Sequence, residues 1–75
     1  MKTLDRITVD PRVMGGRPCI RGLRMPVSRI LGMLAAREDE ATILKNHPDL
    51  EPEDIRQALL YAAMLSDDVL VPLAG

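Results

Sequence analysis

Apolar residues recur at helical spacing twice along this chain. Val27, Ile30, Leu31, Leu34 and Ala35 fall at i, i+3, i+4, i+7 and i+8, the stripe of a helix that buries one face. A helix is predicted over 27–36. Ile55, Ala58, Leu59, Ala62 and Ala63 repeat the pattern, widened by Tyr61, Met64 and Leu65. That predicts a longer helix from 51–54 to about 65, with Ile55 and Leu59 at the centre of its apolar stripe. Between them, Glu38-Asp39-Glu40 sets negative charge at the start of a short helix, where it suits the positive end of the dipole. Asp39 is its N-cap, Ala41, Ile43 and Leu44 are its apolar side, and His47-Pro48 ends it. Gly32 weakens the first helix by roughly 1 kcal/mol against alanine. It either admits the close approach of another backbone or is a tolerated surface glycine.

Ahead of residue 27 the period changes from helical to two. Ile7-Thr8-Val9, Pro18-Cys19-Ile20 and Leu23-Arg24-Met25 read as short strands. Asp10-Pro11, Gly15-Gly16 and Gly22 punctuate them as turns or bulges. Proline at 26 fits the first turn of the helix that follows. The fold class is α-dominated: a short N-terminal β ribbon, then a three-helix, helix-turn-helix-like body of homeodomain or winged-helix type. One domain spans 1–75, with a basic arm over 1–26, the body over 27–66 and an apolar tail over 67–75. Residues 1–5 read as a loose lead-in. An isolated ribbon this small is marginal in water, so it needs either the helical body or the ribbon of a second chain.

Composition sharpens that need. With 75 residues and Tyr61 as the single aromatic, the core must be built from aliphatic side chains. A chain this short buries only about 60% of its unfolded surface, so a homodimer with paired ribbons is expected. The tail Val69-Leu70-Val71-Pro72-Leu73 should pack on the body or on a neighbour. One cysteine, Cys19, excludes an internal disulfide and fits a reducing, cytoplasmic compartment. No apolar run approaches the length of a membrane span and no signal-peptide pattern opens the chain.

The net charge of −1 conceals a division. Residues 1–37 carry eight basic and two acidic groups, whereas residues 38–75 carry two basic and nine acidic ones. Seven of the eight basic groups in the first half are arginines, whose planar fork suits phosphate or carboxylate.

The run Ile7-Thr8-Val9-Asp10-Pro11, followed by Gly15-Gly16-Arg17-Pro18-Cys19-Ile20-Arg21-Gly22 and Arg24-Met25-Pro26-Val27, resembles the small bacterial family labelled domain of unknown function 433 (DUF433). Asp54-Ile55-Arg56-Gln57-Ala58-Leu59-Leu60-Tyr61-Ala62-Ala63 looks like that family's last helix. The resemblance covers roughly residues 4–65. It implies a helix-turn-helix-like body and, for many members, an antitoxin partnered with a PIN-like ribonuclease toxin.

Catalysis finds little footing. Cys19 sits in a strand-like run, where a lone cysteine behaves as a small hydrophobe, and His47 precedes a proline in a turn. The carboxylates at 38–40 and at Glu51, Glu53 and Asp54 are explained as helix starts, without EF-hand spacing. Gly15-Gly16 and Gly22 form neither a P-loop nor a dinucleotide fingerprint. No enzyme, metal or cofactor is expected. A helix-turn-helix reader would set the start of its second helix against DNA, but here Glu51, Glu53 and Asp54 would repel phosphate. The DNA-binding candidates are therefore Arg12, Arg17, Arg21 and Arg24 on the ribbon, since a two-stranded ribbon fits the major groove. Alternatively Arg17, Arg21 and Arg24 pair with the acidic half of another subunit. Glu53, Asp54, Tyr61 and Leu70 are the candidate contacts to a protein partner. The expected function is that of a type II antitoxin-like protein that binds a PIN-like toxin and operator DNA. The competing readings are a DNA-binding regulator without a toxin and a pure interaction module.

Overall fold

Short strands, turn residues and two apolar stripes assemble as a β hairpin leading into three helices. The computed structural model describes residues 4–67. Strand β1 (Ile7–Thr8) pairs antiparallel with β2 (Cys19–Ile20), with Ile7 opposite Ile20 and Thr8 opposite Cys19. Between them a 3-10 turn over Met14–Gly16 uses positive φ at Gly15 and Gly16. Helices α1 (Val27–Ala35), α2 (Glu40–Asn46) and α3 (Pro52–Asp67) follow.

The strand expected over 23–25 is replaced by a tight turn. The Leu23 N–H donates to the Ile20 carbonyl at 2.7 Å, with Arg21 at φ 46° and Gly22 at φ 72° between them. Positive φ at both central positions is what a type I′ hairpin turn requires. A second bond, from the Ile20 N–H to the Met25 carbonyl, and a single bridge between Cys19 and Pro26 close it. The chain turns back at once, so no ladder has room to form.

The helix signals were local and strong. The Asp39 side chain caps α2 by accepting from the Thr42 N–H at 2.7 Å. Glu40 in the first turn and Lys45 in the last complement the dipole. Leu50, in the turn after α2, is buried in the core with Ile20, Val27, Ile30, Ile43, Ile55 and Ala58. Tyr61, Leu31 and Leu34 pack at its edge. A Cβ added to Gly32 would meet nothing within 4 Å, so this glycine admits no backbone close by and is a surface one.

The phase of α3 differs from the expectation. Ile55 and Ala58 are buried, but Leu59 is 50% exposed and Ala63 is also exposed. Asp54 and Gln57 take the buried positions instead. The helix is turned toward its polar residues because the N-terminal arm supplies them with partners. Asp5, expected in a loose lead-in, accepts from Gln57 Nε2 at 2.8 Å, and Gln57 Oε1 accepts from the Arg6 N–H at 2.9 Å. The ribbon is thus anchored on its own body.

Candidate functional site

Asp54 organises the junction between the arm and α3. It stands three residues after Glu51, whose backbone N–H its Oδ2 accepts at 2.8 Å, the reach-back of a capping box. The same carboxylate accepts from Arg21 Nη2 at 2.9 Å and Nε at 3.1 Å, and from Arg6 Nη1 at 3.1 Å. Its side chain has no exposed surface. Arg6 also pairs with Glu51, and Arg21 Nη2 donates to the Asp49 carbonyl. Burial pushes the Asp54 carboxyl up, but the bonds from Arg21, the Glu51 N–H and Arg6 outweigh it and hold the group below the usual carboxylate range. Arg6 is raised chiefly by its bond to Glu51, and Arg21 by its bond to Asp54.

This network reassigns two of the sequence candidates. Arg21, expected against DNA or another subunit, is held by Asp54 of its own chain. Asp54, expected to face a protein partner, is enclosed. Arg6 and Gln57 were missed altogether, because their partners lie 48 and 52 positions away for the Arg6–Asp54 and Asp5–Gln57 bonds. Nothing local in the sequence signals such pairs.

The other arginines are not gathered on one face. Arg12 folds back on Asp10, with bonds of 3.2 Å from Nε and Nη2. Arg17 stands at the rim of a hollow between α1 and α3, while Arg24 lines a separate one beside the 46–50 turn. Among the described residues, Arg17, Arg24, Arg29 and Arg37 are exposed and have no carboxylate within salt-bridge distance. Glu53 pairs with Arg56 at 2.9 Å and accepts from Gln57, and its carboxyl is lowered, first by Gln57. Tyr61 is half-buried and lines the α1/α3 hollow. Leu70 and the rest of the tail lie outside the described residues. Cys19 is buried in β2, and His47 is the C-terminal cap residue of α2.

Two apolar features stand out. The outward side of α3 presents Leu59 at 50% exposure, with Ala63 one turn on and Met64 at its flank, 51% exposed. On the other side is the α1/α3 hollow of about 420 Å³, lined by Pro18, Val27, Ser28, Leu31, Tyr61, Ala62 and Leu65 besides Arg17.

The fold and these surfaces define a small helical domain with an N-terminal hairpin clamped to its last helix. The chain belongs to the family described as "Protein of unknown function (DUF433)", whose model matches residues 7–62. Over 56 residues it is 38% identical to the uncharacterized protein y4eO of Sinorhizobium fredii, covering 75% of this chain and 25% of that protein. The chain thus spans about a quarter of that curated relative. The crystal structure of a DUF433 member from Anabaena variabilis superposes with a TM-score of 0.77 at 29% identity. It covers 83% of this chain and 61% of that one.

Proposed function

We propose that this domain is an antitoxin-like interaction module that binds a protein, a PIN-like ribonuclease, through the outward side of α3. The observation that carries this reading is the exposure of Leu59, with Ala63 exposed one turn on, on the side of an amphipathic helix that is ordinarily polar. Arg56, one turn before Leu59, and its partner Glu53 border these apolar residues with charge on one side, as polar residues border the apolar part of protein interfaces. A second reading, operator contact, is favoured by the exposed arginines without carboxylate partners, since such groups are free to neutralise phosphate. Arg17 and Arg24 remain candidates for it, together with Arg29, and the two functions are compatible.

The test is co-expression with the neighbouring reading frame and affinity capture through a tag on this chain. A ribonuclease should co-purify with the parent and be lost with Leu59→Glu. Retention by Leu59→Glu, or no captured partner, would remove this reading. Because Leu59 is half exposed, the variant should keep its helical circular dichroism.

A further inference from the structure

The hollow lined by Arg24 lies between two turns, and both are fixed in place. In the hairpin turn the Leu23 N–H donates to the Ile20 carbonyl and the Ile20 N–H to that of Met25. The turn between α2 and α3 is closed by the Leu50 N–H on the His47 carbonyl at 2.9 Å. Arg21 Nη2 reaches across to the Asp49 carbonyl at 2.6 Å and ties the two turns together. The space between them is about 320 Å³, the size at which small-ligand sites begin. Leu50 is buried and Leu23 and Met25 are half-buried, so the hollow has an apolar floor. Arg24, Asn46, His47 and Asp49 also line it. Among the described residues, none of these four side chains forms a hydrogen bond or ion pair within the chain. The polar groups of the arm clamp are satisfied internally, whereas these are left for a ligand.

The four polar groups differ in kind, and that selects the ligand. Arg24 brings a cation with a planar face, His47 a flat ring, Asn46 a donor and an acceptor, and Asp49 acceptors alone. An acidic peptide would satisfy Arg24 but meet the Asp49 carboxylate. A purely apolar segment would desolvate all four groups without giving them partners. A nucleotide answers each of them. Its base is apolar on both faces and carries donors and acceptors along its edge, and its phosphate is an anion. Proteins hold unpaired bases in this way, stacked on histidine rings or guanidinium planes and hydrogen-bonded at their edges. Asparagine matches the adenine edge, and a carboxylate accepts from an exocyclic amino group. Bases inside a duplex are stacked and paired, so the hollow discriminates against them.

We propose that the hollow between the hairpin turn and the α2–α3 turn binds an unpaired nucleotide. His47 and the apolar floor hold its base, Asn46 and Asp49 its edge, and Arg24 its phosphate. This is independent of the antitoxin-like reading, which uses α3, and shares only Arg24 with operator contact. Amide shifts of the isotope-labelled chain test it, with nucleoside monophosphates of adenine, guanine, cytosine and uracil, a mixed-sequence single strand and a duplex as probes. Residues 23–25 and 46–50 should shift with the mononucleotides and the single strand. His47→Ala should weaken both about tenfold, as loss of a stacking surface does, with unchanged helical circular dichroism. Asp49→Asn should change the order of preference among the bases, which a merely structural role would not do. Arg17→Ala, at the other hollow, should change nothing. A single strand bound far more tightly than a mononucleotide supports the site with nucleic acid as its source, and equal affinity supports it with the free nucleotide. No shift at residues 23–25 and 46–50 with millimolar probe overturns the proposal. So does affinity that His47→Ala leaves intact, or a duplex that moves residues 46–50 as strongly as the single strand.

Discussion

Asp54 has no exposed side-chain surface, yet the arginines on it keep 28% and 35% of theirs. That difference sets the scale of its contribution. Removing one member of a fully buried pair costs about 3 to 5 kcal/mol because the other charge is stranded. Here Arg6 and Arg21 can turn back to water, so Asp54→Asn should cost about 1 to 3 kcal/mol. The pH dependence follows from the direction of its shift. The folded carboxyl titrates below the unfolded value of about 3.9, so between the two the unfolded state holds more protons. The stabilisation is full above about pH 4 and is lost as pH falls through the folded value. Urea midpoints at pH 7 and pH 3 should differ less for Asp54→Asn than for the parent. An equal difference would mean that Asp10, Asp39 and Glu53, which are also lowered, carry the whole response. Arg21 adds a backbone effect, since its φ of 46° is unfavourable to any residue with a Cβ. Arg21→Gly and Arg21→Ala both lose the ion pair, but glycine relieves the turn. The glycine variant should therefore be the more stable by about 1 kcal/mol in denaturant unfolding.

Among the elements, α3 separates what spacing reveals from what it hides. Ile55→Ala should cost about 2 to 5 kcal/mol, because the side chain is 2% exposed in the core. Leu59→Ala should cost less than about 1 kcal/mol, being half in water already. Thermal melts that shift equally for both would contradict the observed phase. The helix and its position were legible, because an apolar residue every third or fourth place fits the helical period and not the strand period. Its rotation was not, because a stripe wide enough to include Leu59, Ala63 and Met64 leaves the buried centre open. Asp54 and Gln57 decide it through partners at positions 5, 6 and 21, a tertiary effect without local trace. By contrast, the Asp39 cap, the opening of α1 after Pro26 and the glycine turns were readable residue by residue. Each satisfies a constraint within a few residues of itself. Of the candidate site, the excess of arginine was legible and its division into engaged and free members was not.

At the scale of the molecule, that division decides how the protein should respond to DNA. Each phosphate neutralised contributes about −0.9 to the slope of log affinity against log salt. Arg17→Ala and Arg24→Ala should each lower the slope by about 1 per chain that makes the contact. Arg21→Ala should leave it unchanged, because that guanidinium is committed to Asp54 and the Asp49 carbonyl. Promoter binding across a salt series measures all three. A flat response in the parent would set the operator reading aside and leave protein binding alone.

The clamp between the arm and α3 also bears on the order in which the chain acquires its structure. Its bonds join Arg6 to Asp54 across 48 positions and Arg21 to Asp54 across 33. Closing such loops costs entropy before the contacts repay it. Leu50 lies in one buried core with Ile43 and Ile55, seven positions before it and five after it, which are far shorter spans. The helical body should therefore condense first, with the arm docking after the rate-limiting barrier. Arg6→Ala should then steepen the loss of the folded state without delaying its formation, with a φ-value near zero. In stopped-flow chevrons, the unfolding limb should rise while the refolding limb stays in place. A slowed refolding limb would put the arm inside the nucleus and make this N-terminal clasp the first contact to form.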